Sequence, residues 1–403
     1  MLTEIYKYLD ERYDFLVKTR RYLHQHPELS FQETETAMFI ARFYQELEID
    51  VRTGVGGNGV VARIQGSKPG KTVALRADFD ALPIQDEKTV PYRSKVPGVM
   101  HACGHDGHTA ILLGVASALH AFRDQLAGEY VLIHQHAEEV APGGAKSMIA
   151  DGCLDGVDAI FGTHLWSLDP LGQIGYRSGP IMASPDVFEV TITGKGGHGA
   201  EPHLAKDPIV AASQFVTQLQ QIVSRRIDPL EAAVVSIGEF HAGNAFNVIA
   251  EEVKLAGTVR TFKEEVRDTI KTEMEKILKG IATSHDCTYT FDYTGGYPAL
   301  VNHKEETEFL AKIARDVPGV TRTTEIAPRM VGEDFAYYLQ HVKGTFFFTG
   351  ARPENAPVYP HHHPKFDFNE KAMLIAAKTL IASAIRYQEW KKQCAAKTKT
   401  QAG

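Results

Sequence analysis

The stretch "MHACGHDGHTA", Met100 to Ala110, holds His101, Cys103, His105, Asp106 and His108, five side chains that can each bind a metal ion. Thiolate, imidazole and carboxylate together suit first-row divalent ions such as Zn, Mn, Co or Ni. One short loop cannot aim all five at one ion, because neighbours along a chain point in different directions. Gly104 and Gly107 let the backbone turn sharply between them. The plainer alternative is a polar turn with a helix-capping Asp106 or Thr109 and a buried thiol. If the loop does bind metal, further ligands must come from elsewhere.

Four other segments carry residues of the right kind. "HAEE", His136 to Glu139, places two glutamates side by side at the end of an apolar run. Burying both is costly unless something cationic holds them. If one is a ligand, its neighbour points elsewhere and is free to act as a general base on a metal-activated water; otherwise the pair is a solvated turn. "GTHLW" delivers His164 after another apolar run, although a lone histidine there is usually structural. "YPHHHPKFDFNE" offers His361, His362 and His363, of which at most one or two can face a given site. "GKGGHGAEPH" sets His198 on a glycine-rich loop, and "NAFNVIAEE" and "GTVRTF" supply Asn247 and Arg260. Arg260 is either an exposed charge or a clamp for a substrate carboxylate.

The elements between these segments explain how they could meet. Leu2 to His24 has helical spacing and stops at Pro27, and a second helix begins near Ser30. "GVGGNGVVARIQG" suggests a strand entered from a glycine-rich turn. Three apolar runs then read as buried strands: "KTVALRADFDALP" ending in Asp78 and Asp80, "EYVLIHQHAEE" ending in Glu138 and Glu139, and "VDAIFGTHLW" ending in His164. A helical pattern, "HTAILLGVASALHAF", lies between the first two. That alternation predicts an α/β domain with a mainly parallel sheet, which gathers sites at the carboxyl ends of its strands. From about Ser184 to Gly296 the texture changes to a β-α-β-β-α-β series, the pattern of a small antiparallel α+β domain. The predicted organisation is therefore residues 1–183 and 297–403 forming one domain, with 184–296 inserted. A last helix is expected from Glu370 to Gln393, with the polar tail "KKQCAAKTKTQAG" frayed.

Composition narrows the setting. The chain has 403 residues and a formal net charge of -7, which gives no reason to expect nucleic acid or an anionic membrane as partner. No apolar run approaches the ~20 residues of a membrane span, and the charged N-terminus does not resemble a secretory signal. Four cysteines without CxxC spacing speak against a disulfide framework. A cytoplasmic, reducing setting is expected, and it would keep Cys103 available as a thiolate.

Taken in order, "RRYLHQHPELSFQETETA", "LRADFDALPIQDE", "MHACGHDGHTA", "HQHAEEVAPGGAKSMI", "GTHLW", "GKGGHGAEPH", "FNVIAEEVKLAGTVRTF", "VGEDFAYYL" and "HHHPKFDFNE" resemble the M20 metallopeptidase family over nearly the whole chain. The likeness is to its amidohydrolase branch of aminoacylases, hippurate hydrolases and auxin-conjugate hydrolases. It implies a mainly parallel-sheet di-metal catalytic domain carrying an inserted, ferredoxin-like lid and dimerisation domain. It implies metal ligation by Cys103, His105, Glu139, His164 and His362, the last being the histidine two before Pro364, with a pair of divalent ions (Mn, Zn, Co or Ni). Glu138 takes the general-base role. His198 matches a lid histidine that helps polarise the scissile carbonyl, often across a dimer interface, and Asn247 and Arg260 would contact substrate. Asp78 and Asp80 become groups that orient ligands. One departure is Ala250, where the family's NVIP reads "NVIA"; it affects only the local turn. The resemblance implies hydrolysis of an N-acyl-L-amino acid, with a small-molecule N-acyl amino acid or short peptide as partner, in a homodimer or higher homo-oligomer. The alternatives are a dipeptidase or carboxypeptidase of the same family, or a metal-binding protein that has lost turnover.

Overall fold

The three apolar runs become the buried centre of a large sheet. The computed structural model describes residues 1–401. Helices α1 (Leu2–Glu11), α2 (Tyr13–Gln25) and α3 (Thr34–Glu46) come first. The single helix expected from Leu2 to His24 is in fact interrupted at Arg12, whose φ of -100° and ψ of 10° leave the helical region. Strands β1 (Asp50–Val55), β2 (Gly59–Gln65) and β3 (Lys68–Asp78) follow, then α4 (His105–Ala121), β4 (Ala127–Gln135), β5 (Ala159–Trp166) and β6 (Gln173–Tyr176).

These strands, with Arg322–Glu325 and Lys343–Gly350, form an eight-stranded sheet in the order β1, β2, β4, β3, β5, Lys343–Gly350, β6, Arg322–Glu325. The centre is parallel: β3 runs parallel to both β4 and β5, and β5 parallel to Lys343–Gly350. The β1–β2 and β2–β4 pairs are antiparallel. Parallel strands are covered on both faces, which is why β4 and β5 are apolar almost throughout rather than alternating. Helix α4 is buried from His105 to Leu119. A helix apolar on every side belongs in a core, and this one packs there with Leu16, Leu132 and Phe161. The last helix runs from Lys371 to Gln401, longer than expected. Ala402 and Gly403, the end of the tail expected to fray, lie outside the described residues.

Clustering of contacts divides the chain into two units. The larger contains Met1–Ile181, Val301–Ala327 and the chain from Asp334 onward; the smaller contains Met182–Leu300 and Pro328–Glu333. In the smaller unit, strands Ala233–Ala242, Glu252–Thr261, Ser184–Thr193 and Thr288–Thr294 form an antiparallel sheet in that order. Helices Pro208–Arg225 and Glu264–His285 supply apolar stripes to one face of it, including Phe215, Leu219, Ile270 and Met274. Asp207 caps the first of these, its carboxylate accepting from Ile209 N, with Pro208 at the first helical position. Among the described residues no helix is long and apolar enough to cross a membrane.

Candidate metal centre

The sheet register sets the candidate residues side by side. Asp78, the last residue of β3, lies opposite Gln135, the last of β4, and "HAEE" follows directly. His164 on β5 lies opposite Phe348 of the neighbouring parallel strand. Gly104, at φ 96°, turns the chain into α4, so that Cys103 precedes the turn and His105 opens the helix. A side chain at that φ would be strained.

These segments bring the five expected ligand residues and Glu138 into one cluster. Ligand-type atoms of Cys103, His105 and His164 lie within 4.8 Å of one another, as do those of Cys103, Glu139 and His362, and those of His105, Glu138 and Glu139. Cys103 Sγ stands 3.4 Å from His164 Nε2, and His362 Nε2 stands 3.3 Å from a Glu139 carboxylate oxygen. His361 instead turns its Nε2 to the Leu165 carbonyl at 3.0 Å and stacks on Trp166. Two histidines aim Nδ1 at a carbonyl oxygen, which in the neutral ring leaves Nε2 free. His105 Nδ1 meets the Asp80 carbonyl at 3.0 Å and its carboxylate at 3.1 Å. His164 Nδ1 meets the Leu165 carbonyl at 2.7 Å. A donating Nδ1 leaves Nε2 with its lone pair, as a metal ligand requires.

The electrostatics fit a cation. His105 Nε2 is buried and makes no hydrogen bond, yet Asp78, Glu138 and Glu139 oxygens stand at 3.8, 3.9 and 3.8 Å. Those distances are too long for hydrogen bonds. Burial alone would lower the His105 pKa, but Asp78, Asp80 and Glu139 outweigh it and hold it at about 10. The Cys103 thiol is pushed well up, first by burial and then by Glu139, Glu138 and Asp78. Buried carboxylates thus crowd these side chains. A bound divalent ion reverses that logic and deprotonates a coordinating thiol. The residues present therefore fit a metal ion.

A second ring of contacts holds these side chains in place. His108 Nδ1 approaches Asp78 Oδ1 at 2.6 Å, and His108 Nε2 accepts from Leu165 N at 3.0 Å, next to His164. Asp80 accepts from Ser30 Oγ and from the Glu139 backbone N–H, at 2.7 and 2.9 Å. Asp106 turns away from the cluster: it accepts from Arg20 Nε at 2.9 Å and meets His24 Nδ1 at 2.7 Å. Arg20 is fully buried and also donates to Asp367 and Glu370, so one guanidinium ties the start of α4 to the segment after His362. Sequence reasoning gave Arg20, His24, Arg76 and Asp334 no role. Their signal was present in "RRYLHQHPELS", "LRADFD" and "VGEDF", as ionisable residues inside otherwise apolar patterns.

His198, Asn247 and Arg260 belong to the smaller unit. His198 is exposed on the two-residue strand Gly197–His198, opposite Val248, and Asn247 is the next residue along, its carbonyl accepting from Gly199 N at 2.8 Å. The structure therefore sets these two side by side. Arg260 lies near the far end of Glu252–Thr261, opposite Pro185 and Val234, donating to the Asp186 and Val259 carbonyls. At about 3.3 Å per residue, that strand separates it from the His198 end by on the order of 25 Å.

Comparison with known proteins shows the family. The model of peptidase family M20/M25/M40 matches residues 74–386. YhaA of Bacillus subtilis (strain 168) is 59% identical over 387 residues, 96% of this chain and 98% of that one. An N-acyl-L-amino acid amidohydrolase of Geobacillus stearothermophilus is 50% identical over 305 residues, 75% of this chain and 82% of that one. The crystal structure of YXEP of Bacillus subtilis, a dinuclear metal-binding peptidase of the M20 family, superposes with a TM-score of 0.81 at 37% identity, covering 94% of this chain and 99% of that one.

Proposed function

We propose that this chain, which belongs to peptidase family M20/M25/M40, hydrolyses the amide bond of N-acyl-L-amino acids. That it is a hydrolase acting on amides follows from the family and its amidohydrolase relatives. The acylamino-acid substrate is supported by the 50% identical relative, which bears that activity in its name. The observation that carries the mechanism is a donor set able to hold metal with a further buried carboxylate beside it. That carboxylate is Glu138, its Oε2 3.9 Å from His105 Nε2.

In this reading Cys103, His105, Glu139, His164 and His362 hold two divalent ions, drawn from Mn, Zn, Co or Ni. When bound, such ions supply a water acidified toward neutrality and positive charge for a developing oxyanion. Glu138 accepts the proton of the attacking water and returns it to the leaving amine. His198 donates to the scissile carbonyl oxygen as charge builds there, an interaction that raises rate because it strengthens in the transition state. Asn247 contacts substrate, and Arg260 holds the amino-acid carboxylate.

Arg260 and the His198–Asn247 pair are too far apart within one small unit to grip one small substrate. That supports a homodimer in which a second copy supplies His198. The smaller unit offers Ala233–Ala242 as an open sheet edge, with Phe240 of that strand exposed and Phe246, Val248 and Leu204 exposed elsewhere in the unit. It is accordingly proposed as the inserted lid and dimerisation domain, expected at residues 184–296 between catalytic segments 1–183 and 297–403, with Pro328–Glu333 of the latter joining it. A cytoplasmic setting, which keeps Cys103 reduced, completes the reading.

Metal analysis followed by a substrate screen tests it. Two ions per chain are expected, with turnover of N-acetyl, N-benzoyl or long-chain N-acyl amino acids that a chelator abolishes and metal restores. Preference for dipeptides would move the assignment to a dipeptidase or carboxypeptidase, and metal-loaded protein inert on every amide would end it.

A further inference from the structure

Asp334 opens the helix Phe335–His341 from its N-cap position, where an aspartate ordinarily accepts from the first N–H groups of its own helix. It makes no such cap bond. Its carboxylate, fully buried, is given over to two other places.

The first is the loop after "HAEE". Asp334 Oδ2 accepts from Ala145 N at 3.1 Å, and Gln135 Nε2 reaches Oδ1 and Oδ2 at 2.8 and 2.7 Å. Gln135 and Ala145 bracket Glu138 and Glu139 along the chain. Gly143, at φ 79°, packs so closely that a Cβ there would fall 2.3 Å from Asp334 Oδ2, so the loop is seated directly on this carboxylate. Ligand-type oxygens of Asp334 and Glu138 lie within 4.8 Å. The second place is the histidine side of the cluster. Arg76 Nη2 donates to Asp334 Oδ1 at 2.8 Å while its Nη1 donates to Asp78 Oδ2 at 2.6 Å. Asp78 in turn holds His108, which receives the Leu165 N–H beside His164.

We propose that Asp334 is a positioning residue for Glu138: it fixes the loop on which the general base stands and, through Arg76 and Asp78, locks that loop to the frame carrying the histidines. It holds the register between the base and the metal ligands without being a ligand of either. The inference rests on the assignment of Glu138 as general base. A buried aspartate that merely stabilised the fold would not need both ends of the base-bearing loop and the ligand frame among its partners. Misplacing a catalytic group by about 1 Å can cost on the order of a hundredfold in rate.

The test compares Asp334→Asn, Gly143→Ala and Glu138→Ala in the full-length, metal-loaded protein, with N-acetyl amino acids as substrates. Asn keeps the shape but replaces an acceptor with a donor facing Arg76 and Gln135. The expected result for Asp334→Asn is two ions retained, KM within about threefold, and kcat down at least thirtyfold; Gly143→Ala, which pushes on the same carboxylate from the loop, should show the same split. Normal kcat in Asp334→Asn, loss of metal, or a change confined to KM overturns the inference, as does failure of both variants to fold. Because Glu138→Ala is measured alongside, its own near-normal turnover would sink the general-base assignment instead and is distinguishable.

Discussion

Removing the metal should leave a protein that binds protons in its place. In the metal-free cluster Asp78, Asp80 and Glu139 hold the His105 pKa at about 10 against burial, and burial with Glu139 and Glu138 holds the Cys103 thiol higher than its ordinary value. At pH 7 both groups are therefore protonated, and both must deprotonate to act as ligands. His362 is also pushed up, mainly by its contact with Glu139. Loading the cluster should release at least about two protons. Each released proton makes the apparent affinity rise about tenfold per pH unit, or ~1.4 kcal/mol. Two protons give roughly a hundredfold per unit, and the dependence should persist well above pH 7 because His105 does not titrate until about 10. Calorimetric titration of Zn or Mn into chelator-treated protein, in two buffers of different ionisation enthalpy, counts the protons directly. Release near zero, with affinity flat between pH 6 and 8, would refute the reading of these carboxylates as part of a cation site.

Other outcomes follow from the same contacts. Arg20→Ala strips the buried partner from Asp106, Asp367 and Glu370; thermal or denaturant unfolding should show a loss of about 3–5 kcal/mol, and a loss under 1 kcal/mol would mean those carboxylates are satisfied otherwise. His198 is exposed, so His198→Ala should leave unfolding and metal content unchanged while lowering kcat by on the order of a hundredfold or more; unchanged kinetics would remove it from the mechanism. Phe246 is fully exposed in the single chain, and Phe246→Glu should shift sedimentation from dimer toward monomer. A monomeric wild-type protein would refute the dimer.

The strand ends were legible because an apolar run that stops at an acidic or histidine residue is visible in one dimension. Asp78, Glu138, Glu139 and His164 were found that way, and parallel pairing explains why they meet. The ligand loop was legible in its dense histidines and its glycines, but which of its residues face inward was not. Asp106 and His108 turn to Arg20 and Asp78 instead, a choice made by partners in distant segments. Arg20 and Asp334 escaped for the same reason: a buried charge declares itself only when its counter-charges are in view. The choice of His362 over His361 rested on family likeness, and the contacts of His361 with Leu165 and Trp166 are tertiary. The break at Arg12 was missed because helical spacing continues through it, and the longer last helix because its final residues are polar and carry no apolar spacing.

The account stands most directly on Glu138. Glu138→Ala, loaded with metal and assayed on the best N-acyl amino acid, should keep two ions per chain and lose at least a hundredfold in kcat. Turnover close to that of the unaltered protein, with the same metal content, would contradict it.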